Sequence, residues 1–95
     1  MAIETTRFDI AEELDSPEAI AIYLNDAMEA GYERYLTHAI NNVARARGMS
    51  DLAAKTGISR GGLYKALSEN GNPSFATIAA ILKALGVRLS VAAQA

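Results

Sequence analysis

The stretch LAAKTGISRGGLYKAL, residues 52–67, constrains the fold of this chain more than any other part of the sequence. Ala53 is small enough to let two helices approach closely, and Gly57 in the same stretch can adopt the positive φ that a sharp turn between helices requires. Leu63 and Leu67 follow one turn apart, so they lie on the same face of a second helix. The spacing therefore predicts a helix-turn-helix whose second helix buries these two leucines.

The opposite face of the second helix carries the candidate binding residues. In DNA-binding proteins with this motif, the second helix enters the major groove and the first helix crosses the phosphate backbone. Arginine can form two hydrogen bonds to guanine there, and lysine can reach a base or a phosphate. We therefore predict that the chain binds double-stranded DNA. The candidate DNA-binding residues are Ser50, Lys55, Ser59, Arg60, Gly61, Tyr64 and Lys65.

Most of these residues also have a purely structural interpretation. Ser50 and Ser59 are predicted N-caps of the first and second helices of the motif, a role that needs no ligand. Ser59 can also bind phosphate, because the free amides and the dipole at a helix N-terminus attract anions. Tyr64 can pack partly against its own domain, and the charges of Arg60 and Lys65 can simply be solvated. The sequence leaves these alternatives open.

Charge is distributed unevenly along the chain. The formal net charge of −2 argues against a polyanionic partner, since neutralised phosphates supply much of the affinity for DNA. However, residues 1–40 hold nine acidic and two basic side chains, whereas residues 41–95 hold seven basic and two acidic ones. This asymmetry predicts a phosphate-facing part and a separate acidic part. Arg45 and Arg47 belong to the basic part, although basic residues at a helix C-terminus are also explained by the helix dipole.

Start and stop signals divide the rest of the chain into short helices. Ser16 followed by Pro17 marks one helix start, because serine caps helices and proline suits the first helical position. Ser74 marks the start of the last helix. Apolar residues recur three and four positions apart after Pro17 and predict a buried stripe. The stripe consists of Ile20, Leu24, Ala27 and Met28, and the glycines predicted to end helices are Gly31, Gly48 and Gly86.

The final residues change period. Val87, Leu89 and Val91 alternate with other side chains, as in a half-buried strand. A lone strand has unpaired edges, so the same segment of a second subunit, or the N-terminal arm, would have to pair with it; a frayed tail is the alternative. We predict an all-α bundle of about five helices with a short C-terminal β-strand, assembled as a homodimer. The predicted units are an acidic arm and helix (1–31), a helix-turn-helix domain (32–86) and a strand or tail (87–95).

Several function classes are disfavoured by the composition. The sequence has no cysteine and one histidine, His38, so neither a disulfide framework nor a thiolate zinc site is expected. No Gly-rich phosphate loop or metal-ligand spacing occurs, and we predict no catalytic residue, metal or cofactor. No apolar run approaches the roughly 20 residues of a membrane span, and no secretory leader is recognisable. The expectation is a cytoplasmic, non-enzymatic protein without a membrane partner.

The motifs along most of the chain resemble those of the addiction-module antidote proteins. These are antitoxins of bacterial toxin–antitoxin pairs, and their DNA-binding part belongs to the Xre/Cro-like, lambda repressor-like helix-turn-helix class. The resemblance implies a type II antitoxin that binds a RelE/ParE-like toxin and represses its own operon as a DNA-binding dimer. The matching motifs are Phe8-Asp9, LDSPE (14–18), ARARGM (44–49), GISR (57–60), LYKAL (63–67), GNPSF (71–75) and ALG (84–86).

One departure from the family pattern lies at the start of the recognition helix. Members of the family usually carry a side chain such as Glu or Thr where this chain has Gly61 and Gly62. A glycine inside a helix costs about 0.5–1 kcal/mol relative to alanine, and it offers no side chain to a base. We therefore expect a loosened helix start and fewer direct contacts to bases.

The acidic N-terminal part has two interpretations. It can be an ordinary solvated surface, or it can cover a basic toxin through charge complementarity and a few apolar anchors. The candidate toxin-binding residues are Phe8, Asp9, Glu12, Glu13 and Tyr23. Two other functions remain open at this point: a helix-turn-helix regulator without a toxin partner, and a protein-interaction module that has lost DNA binding.

Overall fold

The computed structural model describes residues 13–31 and 33–94. Within these ranges α-helices are the only regular secondary structure. The described part contains five α-helices, in agreement with the all-α prediction. They are α1 (Pro17–Glu29), α2 (Glu33–Arg47), α3 (Met49–Thr56), α4 (Arg60–Ala66) and α5 (Phe75–Ala84). Helix α3 lies at the centre of the bundle, where it packs against α2, α4 and α5, while α1 packs against α2.

The C-terminal strand predicted for residues 87–95 is not formed within the described part of the chain. Residues 87–94 follow α5 as a tail without regular secondary structure, and residue 95 lies outside the described part. The prediction depended on a partner strand. A strand needs a neighbour for its backbone N–H and C=O groups, and no other described segment of the chain is a strand.

Serine N-caps begin three of the helices where the sequence predicts them. The hydroxyl oxygen of Ser16 accepts a hydrogen bond from the backbone amide of Ala19 at 3.2 Å, and Pro17 occupies the first position of α1. Ser59 caps α4, and Ser74 caps α5 in the same way. Each cap satisfies one of the amides that a helix start leaves without an intrahelical partner.

The cap predicted at Ser50 is wrong. Helix α3 begins at Met49, its N-cap is Gly48, and no side chain caps its amides. Gly48 adopts a φ of +108°, which lets the chain turn from the end of α2 directly into α3. Because only one residue separates the two helices, Ser50 already lies in the first turn of α3, where it is exposed.

The turn between α3 and α4 is built as predicted. Gly57 closes α3 in the left-handed conformation with a φ of +78°, and its amide donates to the carbonyl oxygen of Ala53 at 2.9 Å. The amide of Ile58 donates to the hydroxyl oxygen of Thr56 at 3.1 Å, and its side chain packs against the core. An L-residue with a Cβ pays a steric cost at such a φ, which explains the glycine.

The core consists of apolar side chains from all five helices. Leu63 is fully buried and Leu67 is 2% exposed, as predicted, and no polar or charged side chain is buried among the described residues. Burying one such side chain contributes about 1.5–3 kcal/mol. The largest fully buried side chains are Ile20, Ile40, Val43, Leu63 and Ile81.

The buried stripe of α1 is shorter than the sequence predicts. Ile20 and Leu24 are buried, but Met28 is 45% exposed. At 3.6 residues per turn, each step of four residues rotates about 40° around the helix, so two such steps turn Met28 away from the core. Leu14, which precedes α1 and was not assigned to the core, is only 2% exposed and completes the packing at this end.

The loop after α4 depends on one glycine. The amide of Gly71 donates to the carbonyl oxygen of Ser68 at 2.9 Å, and the Ser68 hydroxyl donates to the carbonyl oxygen of Lys65 at 2.8 Å. A Cβ at Gly71 would overlap the carbonyl oxygens of Lys65 and Ala66. The loop therefore folds back onto the end of α4 only because residue 71 has no side chain.

Replacing Gly61 with alanine should raise the free energy of unfolding by about 0.5–1 kcal/mol, because this helical position is exposed and an added Cβ meets no atom within 4 Å. Gly62→Ala is the matched control. Its Cβ would lie 3.1 Å from both Ile58 Cγ2 and Ser59 Oγ, so the gain should be smaller. Thermal unfolding followed by circular dichroism measures both, and equal gains would contradict this account of the start of α4.

Candidate nucleic-acid interface

The outward face of α4 is an exposed surface opposite the buried leucines. Its start is set by Ser59, whose hydroxyl oxygen accepts a hydrogen bond from the Gly62 amide at 3.0 Å. The predicted cap is therefore confirmed, and the hydroxyl proton of Ser59 is still free to be donated. No atom lies within 4 Å of a Cβ added at Gly61, so a partner could approach the backbone there closely. The exposed residues of this face are Ser59, Arg60, Gly61, Tyr64, Lys65 and Ser68.

Tyr64 combines the two environments that the sequence left open. Its side chain is 37% exposed, so the ring lies partly against the protein and partly at the surface. The guanidinium carbon of Arg45 is 5.3 Å from the ring centroid, and that of Arg60 is 6.0 Å away. Both distances are in the range of cation–π interactions. We call these three residues the Arg45–Arg60–Tyr64 cluster.

Arg45 is the residue of this surface that sequence reasoning placed least well. The sequence leaves it open whether Arg45 contacts a phosphate or complements the dipole of α2, and Arg45 is not among the seven predicted DNA-binding residues. Helices α2 and α4 both pack against α3, and this packing brings Arg45 to Tyr64. No local pattern joins two residues so far apart in the sequence, so only the tertiary structure reveals the contact.

Arg47 has a different environment from Arg45 although both lie in the last turn of α2. The Nη1 of Arg47 donates to the carbonyl oxygen of Leu14 at 3.5 Å, which ties the segment before α1 to the end of α2. The Nε of Arg45 donates instead to the side-chain oxygen of Asn41 at 3.5 Å. Arg47 therefore has a structural contact, whereas the guanidinium of Arg45 faces the α4 surface.

Helix α3 presents Ser50 and Lys55, and both are exposed. The ammonium of Lys55 is 3.1 Å from the carboxylate of Asp51 one turn earlier, with 57% and 64% of the two side chains exposed. This exposed pair contributes little to stability. It is the only ion pair between side chains that the structure describes, so within that part of the chain Arg45, Arg60 and Lys65 have no carboxylate partner.

The candidate toxin-binding residues are less well defined. Phe8, Asp9 and Glu12 lie outside the described residues, and Glu13 is exposed. Tyr23 is half-buried against the core, and its hydroxyl accepts a hydrogen bond from the side-chain amide of Asn42 at 3.0 Å. Tyr23 thus joins α1 to α2.

An exposed apolar residue next to Tyr23 was missed by sequence reasoning. Ile22 is 64% exposed and, together with Glu13 and Tyr23, lines a shallow cavity beside α1. Its position off the apolar stripe of α1 is the signal that could have identified it. The surface of α1 therefore offers an apolar side chain between acidic ones.

The remaining expectations concern the single histidine, metal binding and membrane insertion. His38 is exposed on α2. Within residues 13–31 and 33–94 no group of histidine and carboxylate side chains is arranged to hold a metal ion. No helix in the described part of the chain is both long enough and apolar enough to span a bilayer.

The fold and the site define a small helical protein with a cationic exposed face on one short helix. The sequence model of the family described as "Probable addiction module antidote protein" matches residues 4–93, and the chain therefore belongs to this family. It is also 48% identical over 84 residues to a Haemophilus influenzae protein described as "Uncharacterized protein", an alignment that covers 88% of this chain and 87% of that protein. No solved structure matches the chain.

Tyr23→Phe should lower the free energy of unfolding by about 0.5–1.5 kcal/mol, because it removes the acceptor for the half-buried Asn42 amide. Tyr64→Phe is the matched control, since the Tyr64 hydroxyl has no hydrogen-bond partner among the described residues. Urea unfolding of the two variants and the parent chain measures the difference. An unchanged midpoint for Tyr23→Phe would show that the bond between α1 and α2 adds nothing.

Proposed function

We propose that this protein is the antitoxin of a type II toxin–antitoxin module. In this function it neutralises a RelE/ParE-like toxin by direct binding, and it represses its own operon as a sequence-specific DNA-binding homodimer. Membership of the antidote family supports the antitoxin role. The protein acts in the cytoplasm, where both partners are found, and no step of the function is catalytic.

The observation that carries the DNA-binding half of the proposal is the outward face of α4. Arg60 and Lys65 are exposed there and have no carboxylate partner in the described part of the chain. On the opposite side, Leu63 and Leu67 are buried and hold the short helix against the core. A rigid helix with free cations on its outer side is what the major groove accepts.

The proposed contacts follow from the positions of the side chains. Helix α3 and α4 act as a helix-turn-helix of the Xre/Cro type, with α4 as the recognition helix. Arg60 forms two hydrogen bonds to a guanine, and Lys65 reaches a base or a phosphate. Ser50 and Lys55 on α3 contact phosphates. Ser59 and Tyr64 complete the surface, and Gly61 lets the backbone approach the duplex.

A homodimer would give this surface its specificity. Two copies of α4 can read two half-sites of an operator with matching symmetry. The tail supports association between copies, since Leu89 is 38% and Val91 is 98% exposed. Apolar side chains at alternate positions of an extended segment can be covered by pairing with the same segment of a second chain.

The toxin-binding half of the proposal rests on the charge of the N-terminal part. Residues 1–40 hold nine acidic and two basic side chains, and a toxin that cleaves RNA must carry basic residues. Phe8, Asp9, Glu12, Glu13 and Tyr23 remain the candidates, and the exposed Ile22 adds an apolar contact. Because Leu14 is buried, the toxin-binding segment is separable from the fold only up to residue 13.

A second candidate function is that of a protein-interaction module without DNA binding. The net charge of −2 and the two glycines at the start of α4 favour this alternative. A regulator that binds DNA without a toxin partner is the third possibility. The two experiments below separate all three.

DNA binding should be strongly dependent on salt. A dimer that neutralises four to six phosphates should lose affinity as salt rises, with a slope of about −3.6 to −5.4 in log K against log salt. Fluorescence anisotropy of a labelled duplex from the chain's own upstream region measures this slope.

Arg60→Gln should weaken this binding by about 1–3 kcal/mol and reduce the preference for the upstream duplex over a mixed-sequence duplex. Lys55→Gln should weaken binding to both duplexes by the same factor.

Arg34→Gln is the matched control for charge, because Arg34 is exposed near the start of α2, about 16 Å along that helix from Arg45. The affinity of this variant for each duplex should be close to that of the parent chain. Equal affinity of the parent chain for both duplexes would contradict sequence-specific repression. Absence of binding to either duplex would favour the interaction module.

Toxin neutralisation should require the N-terminal segment. Deleting residues 1–12 leaves Leu14 and the Ser16 cap in place, and it should impair rescue of growth when the product of the adjacent gene is co-expressed, because the contacts of Phe8, Asp9 and Glu12 are lost. Lys65→Gln in the full chain should still rescue. If the shortened chain binds the adjacent gene's product as tightly as the full chain, the acidic segment is not the toxin-binding surface.

A further inference from the structure

The Arg45–Arg60–Tyr64 cluster joins two helices at one aromatic ring. Arg60 and Tyr64 lie on α4, whereas Arg45 comes from the last turns of α2. The two guanidinium carbons are 5.3 Å and 6.0 Å from the ring centroid. An aromatic face attracts cations, and arginine stacks on it without giving up all of its N–H donors.

The charges around this ring are uncompensated within the described part of the chain. Neither arginine forms an ion pair there, although the two cations repel each other. The Nε of Arg45 donates to Asn41, which leaves the Nη groups available to another acceptor. Two cations near one ring, without a carboxylate, form a site that an anion would stabilise.

We propose that Tyr64 is a positioning residue, and that through it Arg45 extends the DNA-binding surface from α3 and α4 to the end of α2. In this arrangement Arg45 binds a backbone phosphate while Arg60 reads a base. The inference rests on the proposed DNA-binding function and adds a residue and a role to it.

The division of roles follows from the helices that carry the two arginines. Arg60 is the first residue of the helix proposed to enter the groove, whereas Arg45 lies on a helix outside the α3–α4 pair. Contacts to phosphate set the register of a protein on the duplex, and contacts to base edges set the sequence. Because both arginines share one ring, the position of the phosphate contact is tied to that of the base contact.

The ring also lowers the entropy lost on binding. An arginine free in solvent has many rotamers, and fixing them on binding costs free energy. Stacking on Tyr64 restricts both arginines before DNA arrives. The benefit requires the aromatic ring and not the hydroxyl, so phenylalanine should replace tyrosine and leucine should not.

The test measures the binding of five variants to two labelled duplexes, one from the chain's own upstream region and one of mixed sequence. The variants are Arg45→Gln, Tyr64→Phe, Tyr64→Leu, the double variant Arg45→Gln/Tyr64→Leu, and Arg34→Gln as a control for the loss of one surface charge. Thermal unfolding confirms that each variant is folded. Each affinity is measured at several salt concentrations.

Arg45→Gln should weaken binding to both duplexes by the same factor. It should also reduce the slope of log K against log salt by about 0.9 per subunit. Tyr64→Phe should bind like the parent chain, and Tyr64→Leu should bind about two- to fivefold more weakly per subunit, the size of an exposed cation–π interaction. In the double variant the Tyr64→Leu effect should be smaller than in the parent, because one of the stacked cations is gone.

A second readout does not depend on DNA. In the free protein, the side-chain proton resonances of Arg45 should show a ring-current shift that persists in Tyr64→Phe and disappears in Tyr64→Leu. A shift that is absent from the parent chain would overturn the positioning role of Tyr64.

The outcomes separate this inference from the proposed function. If the parent chain binds its upstream duplex and Arg45→Gln behaves like Arg34→Gln, DNA binding stands and the role of Arg45 is refuted. If Tyr64→Leu has the same effect with and without Arg45, the coupling through the ring is refuted. If the parent chain binds neither duplex, the proposed function itself fails and this inference fails with it.

Discussion

Burial of Leu63 and Leu67 is the interaction on which the candidate site depends. Helix α4 has seven residues, two of them glycine at its start, and a helix of this length is not stable by itself in water. The two leucines, 0% and 2% exposed, anchor it to the core, and the Ser59 cap closes its first turn. Because the inner face and the cap supply this stability, Arg60 and Lys65 on the outer face are not needed to hold the helix in place.

The same division appears in the charges. An overall charge of −2 conceals a basic C-terminal half in which the arginines and Lys65 of the outward surface lack carboxylate partners among the described residues. Lys55 is the exception, since Asp51 lies 3.1 Å from its ammonium. Cations left unpaired at the surface of a protein are hydrated by water and remain available to pair with a polyanion. The Arg45–Arg60–Tyr64 cluster concentrates them where α2 and α4 meet.

Much of this molecule could be read from local sequence signals. Gly57, the caps at Ser16, Ser59 and Ser74, and the inward leucines of α4 are each fixed by a chemical requirement within a few residues, and each was predicted. Two errors were also local, and one omission was not. Gly48 shifted the start of α3 to Met49 and removed the cap role of Ser50, and helical rotation carried Met28 out of the core. The contact of Arg45 with Tyr64 has no sequence signal, because it depends on how α2 and α4 pack around α3.

The tight loop at Gly71 has a consequence for how such a protein can diversify. It returns the chain to the end of α4 and lets α5 start at a fixed place, whatever side chains α4 presents outward. Selection can therefore exchange the outward side chains of α4 while the inward leucines and this glycine stay unchanged. Paralogues with one architecture could acquire different targets through a handful of surface substitutions, and an engineer could graft a new specificity onto the scaffold in the same way.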